Sequence, residues 1–284
     1  MTRIYDCSVD TEHTAGMRLA RSAIGRGALV VIPTDTVYGI AADAFSPQAV
    51  QRLLDAKGRD RDSPPPVLIP RLAALDALAE SVPQPVRDLV AEFWPGGLTV
   101  ILIAQPSLVW DLGDTRGTVA LRMPSNPVAL ELLAETGPLA VSSANLSGLP
   151  SAIDAIGAEE MLGTSVSVYL DGGVAGLGYD PIGDRPGDTS STIIDATRFD
   201  SNGGKVHIVR NGVISRAAIA AVIGDALADE AAPDAAVAAA DEAAADEAAA
   251  DEAAADQAAA HVAHDDADTD VPGSASTAPD RPTT

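Results

Sequence analysis

Residues 28–39 read ALVVIPTDTVYG. A short apolar run that stops at Pro33 has the length and bounds of a buried strand. The next five positions then place Thr34, Asp35, Thr36 and Tyr38 in the turn before Gly39. The stretch on its N-terminal side, MRLARSAIGRG at 17–27, spaces apolar residues as an amphipathic helix and ends on glycine. On its C-terminal side SPQAVQRLLDAK at 46–57 enters a helix through Ser-Pro and repeats the helical spacing. A strand between two helices, with hydroxyls and a carboxylate where the strand emerges, predicts an α/β protein whose ligands gather at strand ends.

Further along, PVLI (66–69), LTVILIA (98–104), TVALRM (118–123), PLAVSS (138–143), SVSVYLD (165–171), SSTIID (190–195) and KVHIVR (205–210) read as strands. Between them RLAALDALAE (71–80), PQPVRDLVAEFW (83–94), NPVALELLAET (126–136) and SRAAIAAVIG (215–224) read as helices. The expectation is one domain over 1–224, a twisted mixed β-sheet with flanking helices.

Residues 225–284 are a different material. They hold sixteen acidic residues against Arg281 alone, a net of −15 out of −23, which leaves −8 for 1–224. DEAAA starts at 241, 246 and 251 and becomes DQAAA at 256. The pairs Glu242/Asp246 and Glu247/Asp251 set like charges at i and i+4. A five-residue period also advances about 140° per repeat, so no lasting apolar face forms. A disordered acidic C-terminal tail is expected, with an acidic partner-binding arm as the alternative.

The N-terminal MTRIYDCSVDTEHTAG lacks an apolar core, and no run of about eighteen apolar residues occurs, so neither export nor a membrane partner is expected. The single cysteine, Cys7, excludes an intrachain disulfide and fits a cytoplasmic location. Only His13 and His207 precede the tail as potential bases, which disfavours Cys7 as a nucleophile.

Three loops carry candidate chemistry. The first is PTDTVYG; a strand-exit turn whose hydroxyls satisfy local backbone would use the same residues. The second, KGRDRDSPPPVLI at 57–69, follows a helix and contains Lys57, the only lysine before Lys205. A cation at a helix C-terminus is favoured by the macrodipole alone. Yet lysine beside Arg59 pairs a point charge with a planar fork, a combination suited to a polyphosphate, and Pro64, Pro65 and Pro66 hold the exit extended. The third, AVSSANLSG at 140–148, packs Ser142, Ser143, Asn145 and Ser147 ahead of Gly148, a turn able to present donors to an anion. A nucleophilic serine there lacks a GxSxG setting and has only His207 as a base.

Taken in order, PTDTVYG, KGRDRDSPPPVLI, FWPGGLTVIL, VALRMPSNPVALELL, SSANLSG, SSTIID and HIVRNGVI resemble the YrdC family of threonylcarbamoyl-AMP synthases over roughly residues 14–220. The resemblance implies a YrdC/RibB-like sheet around a concave basic surface. It also implies a synthesis of threonylcarbamoyl-AMP and pyrophosphate from ATP, L-threonine and bicarbonate with Mg²⁺, the first step of tRNA t6A modification. By the same resemblance Lys57 and Arg59 are catalytic and, with Ser143 and Asn145, hold ATP or the adenylate. Arg210 adds a phosphate contact, and Thr34, Tyr38, Arg122 and Ser191 surround threonine. Proteins of the t6A transfer complex and tRNA are the implied partners, and no metal held by protein side chains is expected.

The sequence departs from the family pattern at Pro65, where an apolar residue is usual, and at Ser190, where proline is common. The tail has no core-forming pattern, so the chain resembles the short, single-domain members. Arg185 and Asp188, in the glycine-bearing GDRPGDTSS loop, are candidates for a lid. Two rivals stay open. A carbamoyl-adenylate enzyme of hydrogenase maturation would bring cysteines and a further domain. A non-catalytic RNA-binding module would want more than 18 Lys+Arg and more aromatics.

Overall fold

The computed structural model describes residues 4–180 and 189–229. Ten strands form one mixed sheet: β1 (Ile4–Asp6), β2 (Val30–Ile32), β3 (Gly39–Asp43), β4 (Val67–Leu68), β5 (Leu98–Ile103), β6 (Thr118–Arg122), β7 (Leu139–Ser143), β8 (Val168–Asp171), β9 (Thr192–Asp195) and β10 (His207–Arg210). Their order across the sheet is β1-β8-β2-β3-β7-β4-β6-β5-β9-β10. The helices are α1 (Asp10–Gly25), α2 (Pro47–Lys57), α3 (Ala73–Leu78), α4 (Gln84–Phe93), α5 (Pro127–Thr136), α6 (Ala155–Leu162) and α7 (Arg216–Ile223). The expected twisted mixed sheet with flanking helices is the observed one. No described helix is long and apolar enough to cross a membrane.

Strand alternation decides which face each helix covers. In β2, Val30 and Ile32 pack with Met17, Ala20 and Ile24 of α1 and Leu132 of α5, whereas Val31 packs with Leu53 of α2 and Ala158 of α6. That half of the sheet is covered on both faces. In the other half Leu98, Val100 and Leu102 of β5 and Val119 and Leu121 of β6 pack under α3, α4 and α7. The opposite face of these strands carries Ile101, Ile103, Thr118 and Ala120, all partly exposed. That face is left partly open to solvent.

The sequence reading missed β1, β3 and α6. Strand β3, GIAAD, lies in the middle of the sheet between β2 and β7, yet Ile40 is its one β-branched residue, so it gives little strand signal. A Cβ on Gly39 would fall 2.5 Å from Val141 Cγ1, so only glycine fits there. Helix α6 draws its apolar face from small residues, Ala155 and Ala158, and its start is marked by Asp154, whose Oδ1 accepts the Gly157 N–H at 2.7 Å. The packed chain also runs past Gly224. Leu227 and Ala228 are buried, and the Ala228 N–H donates to Val206 O at 2.9 Å. The acidic tail from 230 onward, with Arg185 and Asp188, lies outside the described residues.

Candidate active site

Lys57 is the last residue of α2, and the helical spacing that buries Val50, Leu53 and Leu54 continues onto it. The sequence reading put Lys57 on a loop leaving the helix; it sits instead on the buried face, 1% exposed. Ser46 caps the start of α2 by accepting the Ala49 N–H, and Gly58 ends it in the left-handed conformation at φ 66°. The ammonium Nζ donates to Ser143 O at 2.6 Å, Asn145 O at 2.9 Å and Asn145 Oδ1 at 2.9 Å. The Ser147 N–H returns to Lys57 O at 3.1 Å, and Asn145 Nδ2 donates to Leu149 O. Lys57 thus ties α2 to the loop that follows β7. Arg59, more exposed, lies over the same loop with its donors 3.3 Å from Ser147 Oγ and 3.4 Å from Ser142 Oγ.

The PTDTVYG loop joins β2 to β3 and is registered to this cluster by the pairing of Gly39 with Ser143 and by the Ala144 N–H donating to Tyr38 O at 2.8 Å. Thr34 and Thr36 are buried, their hydroxyl oxygens 3.1 Å apart. Arg122 reaches this loop from the end of β6, and its planar fork divides the work. Nε donates to Gly96 O at 2.9 Å and Nη1 to Thr36 Oγ1 at 2.9 Å. Nη2 lies 2.9 Å from Asp35 Oδ1 as an ion pair, with both side chains under a tenth exposed. Yet its N–H bonds are not aimed at that oxygen, and among the described residues it makes no hydrogen bond. A buried donor left this way suits an incoming carboxylate.

Ser191 precedes β9. Its Oγ is 2.9 Å from Thr99 Oγ1, and Arg210 at the end of β10 donates through Nε and Nη2 to Ser191 O at 3.1 and 2.8 Å. Two residues earlier, Thr189 Oγ1 donates to Thr36 O at 2.6 Å, joining this strand to the PTDT loop.

Of the residues expected around threonine, Tyr38 does not face the others. It is fully buried, donates to Gly173 O at 2.6 Å and accepts the Gly172 N–H at 3.0 Å, and burial pushes its phenol well above the ordinary range. Its backbone shapes the site while its hydroxyl fastens the turn after β8. Sequence reasoning gave no role to Asp35 beyond its membership of the polar loop and none at all to Tyr179. Asp35 accepts the Ser125 N–H at 2.9 Å and the Tyr179 hydroxyl at 3.1 Å. Asp35 was legible as the lone carboxylate of that loop; Tyr179, in a polar segment without periodicity, carried no signal. Cys7 has its thiol pushed up to about 11, mainly by burial, so it stays protonated at neutral pH.

Comparison with known proteins places the chain in a family. The Sua5/YciO/YrdC family model, described as "Telomere recombination", matches residues 22–212. A relative from Mycobacterium tuberculosis is 47% identical over 224 residues, covering 79% of this chain and 96% of its own. A Pyrococcus abyssi protein named threonylcarbamoyl-AMP synthase is 34% identical over 210 residues, 74% of this chain and 57% of its own. The crystal structure of P. abyssi Sua5 complexed with L-threonine superposes with a TM-score of 0.67 at 32% identity, covering 79% of this chain and 61% of that one. The chain belongs to the Sua5/YciO/YrdC family.

Proposed function

We propose that the protein is an L-threonylcarbamoyladenylate synthase, a nucleotidyltransferase that makes threonylcarbamoyl-AMP and pyrophosphate from L-threonine, bicarbonate and ATP for the t6A modification of tRNA. The observation that carries this reading is the buried edge of Arg122, a guanidinium donor that makes no hydrogen bond among the described residues, set among Thr34, Asp35 and Thr36. It takes the threonine carboxylate, and neighbouring hydroxyls hold the rest of the amino acid. The P. abyssi protein bound to L-threonine supports the same substrate here.

In this reaction the threonine amine bonds to the carbon of bicarbonate with net loss of water. A carbamate oxygen then bonds to the α-phosphorus as the α–β bridging bond breaks, and pyrophosphate leaves with that bridging oxygen. A carboxylate-like nucleophile approaching a polyanion is opposed by charge, so catalysis consists of positioning and of fixed cations. Arg59, half-buried over the Ser142–Ser147 loop, meets the phosphates directly. Lys57 contributes its nearby charge and holds Ser143 and Asn145, whose groups frame the nucleotide. Arg210, clamped on Ser191, adds charge on the other side. Mg²⁺ enters with ATP as part of the substrate.

The labile adenylate passes to proteins of the t6A transfer complex, with tRNA as the final acceptor, in the cytoplasm. Residues 1–229 form the catalytic domain, and 230–284 are dispensable for turnover. The test is pyrophosphate release from ATP, Mg²⁺ and bicarbonate with L-threonine, L-serine or no amino acid. Threonine-dependent release supports the reading; tight RNA binding without turnover would make the protein a binding module.

A further inference from the structure

The FWPGG stretch at 93–97 joins α4 to β5, and its glycines are bare for a reason. A Cβ on Gly96 would lie 2.6 Å from Phe93 O and 3.4 Å from the Tyr179 hydroxyl. On Gly97 it would lie 2.4 Å from Val213 Cγ2 and 3.2 Å from that hydroxyl. Tyr179 therefore rests across two glycines, and the first of them also accepts Arg122 Nε through its carbonyl. From there the Tyr179 hydroxyl donates to Asp35 Oδ2 at 3.1 Å while the Ser125 N–H holds Oδ1 at 2.9 Å. Both carboxylate oxygens are thus taken from outside, and the plane of Asp35 is set.

The consequence falls on Arg122. A carboxylate free to turn would meet a guanidinium edge on, with straight paired hydrogen bonds, the strongest geometry open to it. Here Nη2 stays 2.9 Å from Oδ1 but off axis, its N–H bonds directed elsewhere. We propose that Tyr179 is a positioning residue for the amino-acid substrate: by holding Asp35 in place across the Gly96–Gly97 platform, it keeps the Arg122 donor available to the substrate carboxylate. Without the hydroxyl, Asp35 turns and captures that donor. The proposal rests on the reading of Arg122 as the carboxylate site.

The experiment compares Tyr179→Phe, Asp35→Asn and the double variant with the unaltered full-length protein, measuring KM for threonine, KM for ATP, kcat and thermal midpoint. Tyr179→Phe is expected to raise the threonine KM about tenfold with the ATP KM unchanged. In the Asp35→Asn background the same change is expected to add nothing, because the tyrosine acts through Asp35. An unchanged threonine KM, equal rises in both KM values, or full additivity of the two substitutions overturns the proposal. Unaltered protein that neither binds threonine by calorimetry nor releases pyrophosphate overturns the functional reading and this one together. Normal turnover with a wild-type-like Tyr179→Phe overturns this one alone.

Discussion

At the Lys57 end of the site a buried ammonium donates to two backbone carbonyls and an amide oxygen of one loop; at the Arg122 end a buried guanidinium faces a carboxylate and a threonine hydroxyl. Both residues are as buried as core side chains, at 1% and 6% exposure. The difference lies in donor geometry. Three tetrahedral donors on one nitrogen suit the gathering of several oxygens from a single turn, so a lysine builds the Ser143–Leu149 loop. A planar fork points its edges in different directions, so one arginine binds Gly96 and Thr36 with two edges and keeps the third for another partner. This answers why a chain that relies on arginine places a lysine at position 57.

The sharpest way to break the comparison is to remove the cation at the Arg122 end. Arg122→Ala leaves Asp35 buried beside an empty space and is expected to cost about 3 kcal/mol, roughly 100-fold in kcat/KM for threonine. Steady-state kinetics at saturating ATP check this, and a loss below tenfold would refute the carboxylate assignment.

Lys57→Met is expected to cost about 2 kcal/mol of stability through lost charge-assisted hydrogen bonds. Its signature is faster amide hydrogen exchange at residues 145–149 without nucleotide. A lysine that only touched phosphates would leave that exchange unaltered in the free protein.

The two ends are joined by the pairing of Gly39 with Ser143. Gly39→Ala drives a methyl to 2.5 Å from Val141 and is expected to cost about 1–3 kcal/mol by overpacking, read as a lowered denaturation midpoint.

The phenols sharpen the picture from the alkaline side. Tyr179 is pushed up from 10.0 to about 12, first by burial and then by the Asp35 charge; Tyr38 and Tyr169 also shift upward by burial. The unfolded chain releases these protons first, so stability is whole below pH 10 and falls as pH rises through about 12. Urea midpoints between pH 8 and 12 check the trend, and Tyr179→Phe should flatten it. Truncation after Asp229 has the smallest expected effect, turnover within about twofold of the full chain. Truncation after Gly224, which removes the buried Leu227 and Ala228, should instead lower the midpoint.

Regular elements with large side chains were legible. In α2 the cap at Ser46, the Pro47 entry, the Val50–Leu53–Leu54 stripe and the Gly58 stop are local features, and they describe the helix as observed. That stripe also held the clue to Lys57, three residues after Leu54 and four after Leu53, though a charged residue at a helix end suggests a solvated terminus. Strand β3 was illegible because its small residues answer to neighbours distant in sequence. The direction of the Tyr38 hydroxyl, which bonds the turn after β8, was not legible because a hydroxyl in a polar loop points outward or inward according to what packs behind it.

What the sequence by itself determined is the order of the strands and helices built on large apolar side chains, the polar loops at their ends and the motifs that mark the family, since these depend on periodicity, caps and residue type within a dozen positions. Which cation holds a loop, which keeps a donor open, and which tyrosine reaches Asp35 was decided only by the tertiary structure. Those outcomes depend on contacts between residues 86 to 144 positions apart, where burial and direction, rather than residue type, set the chemistry.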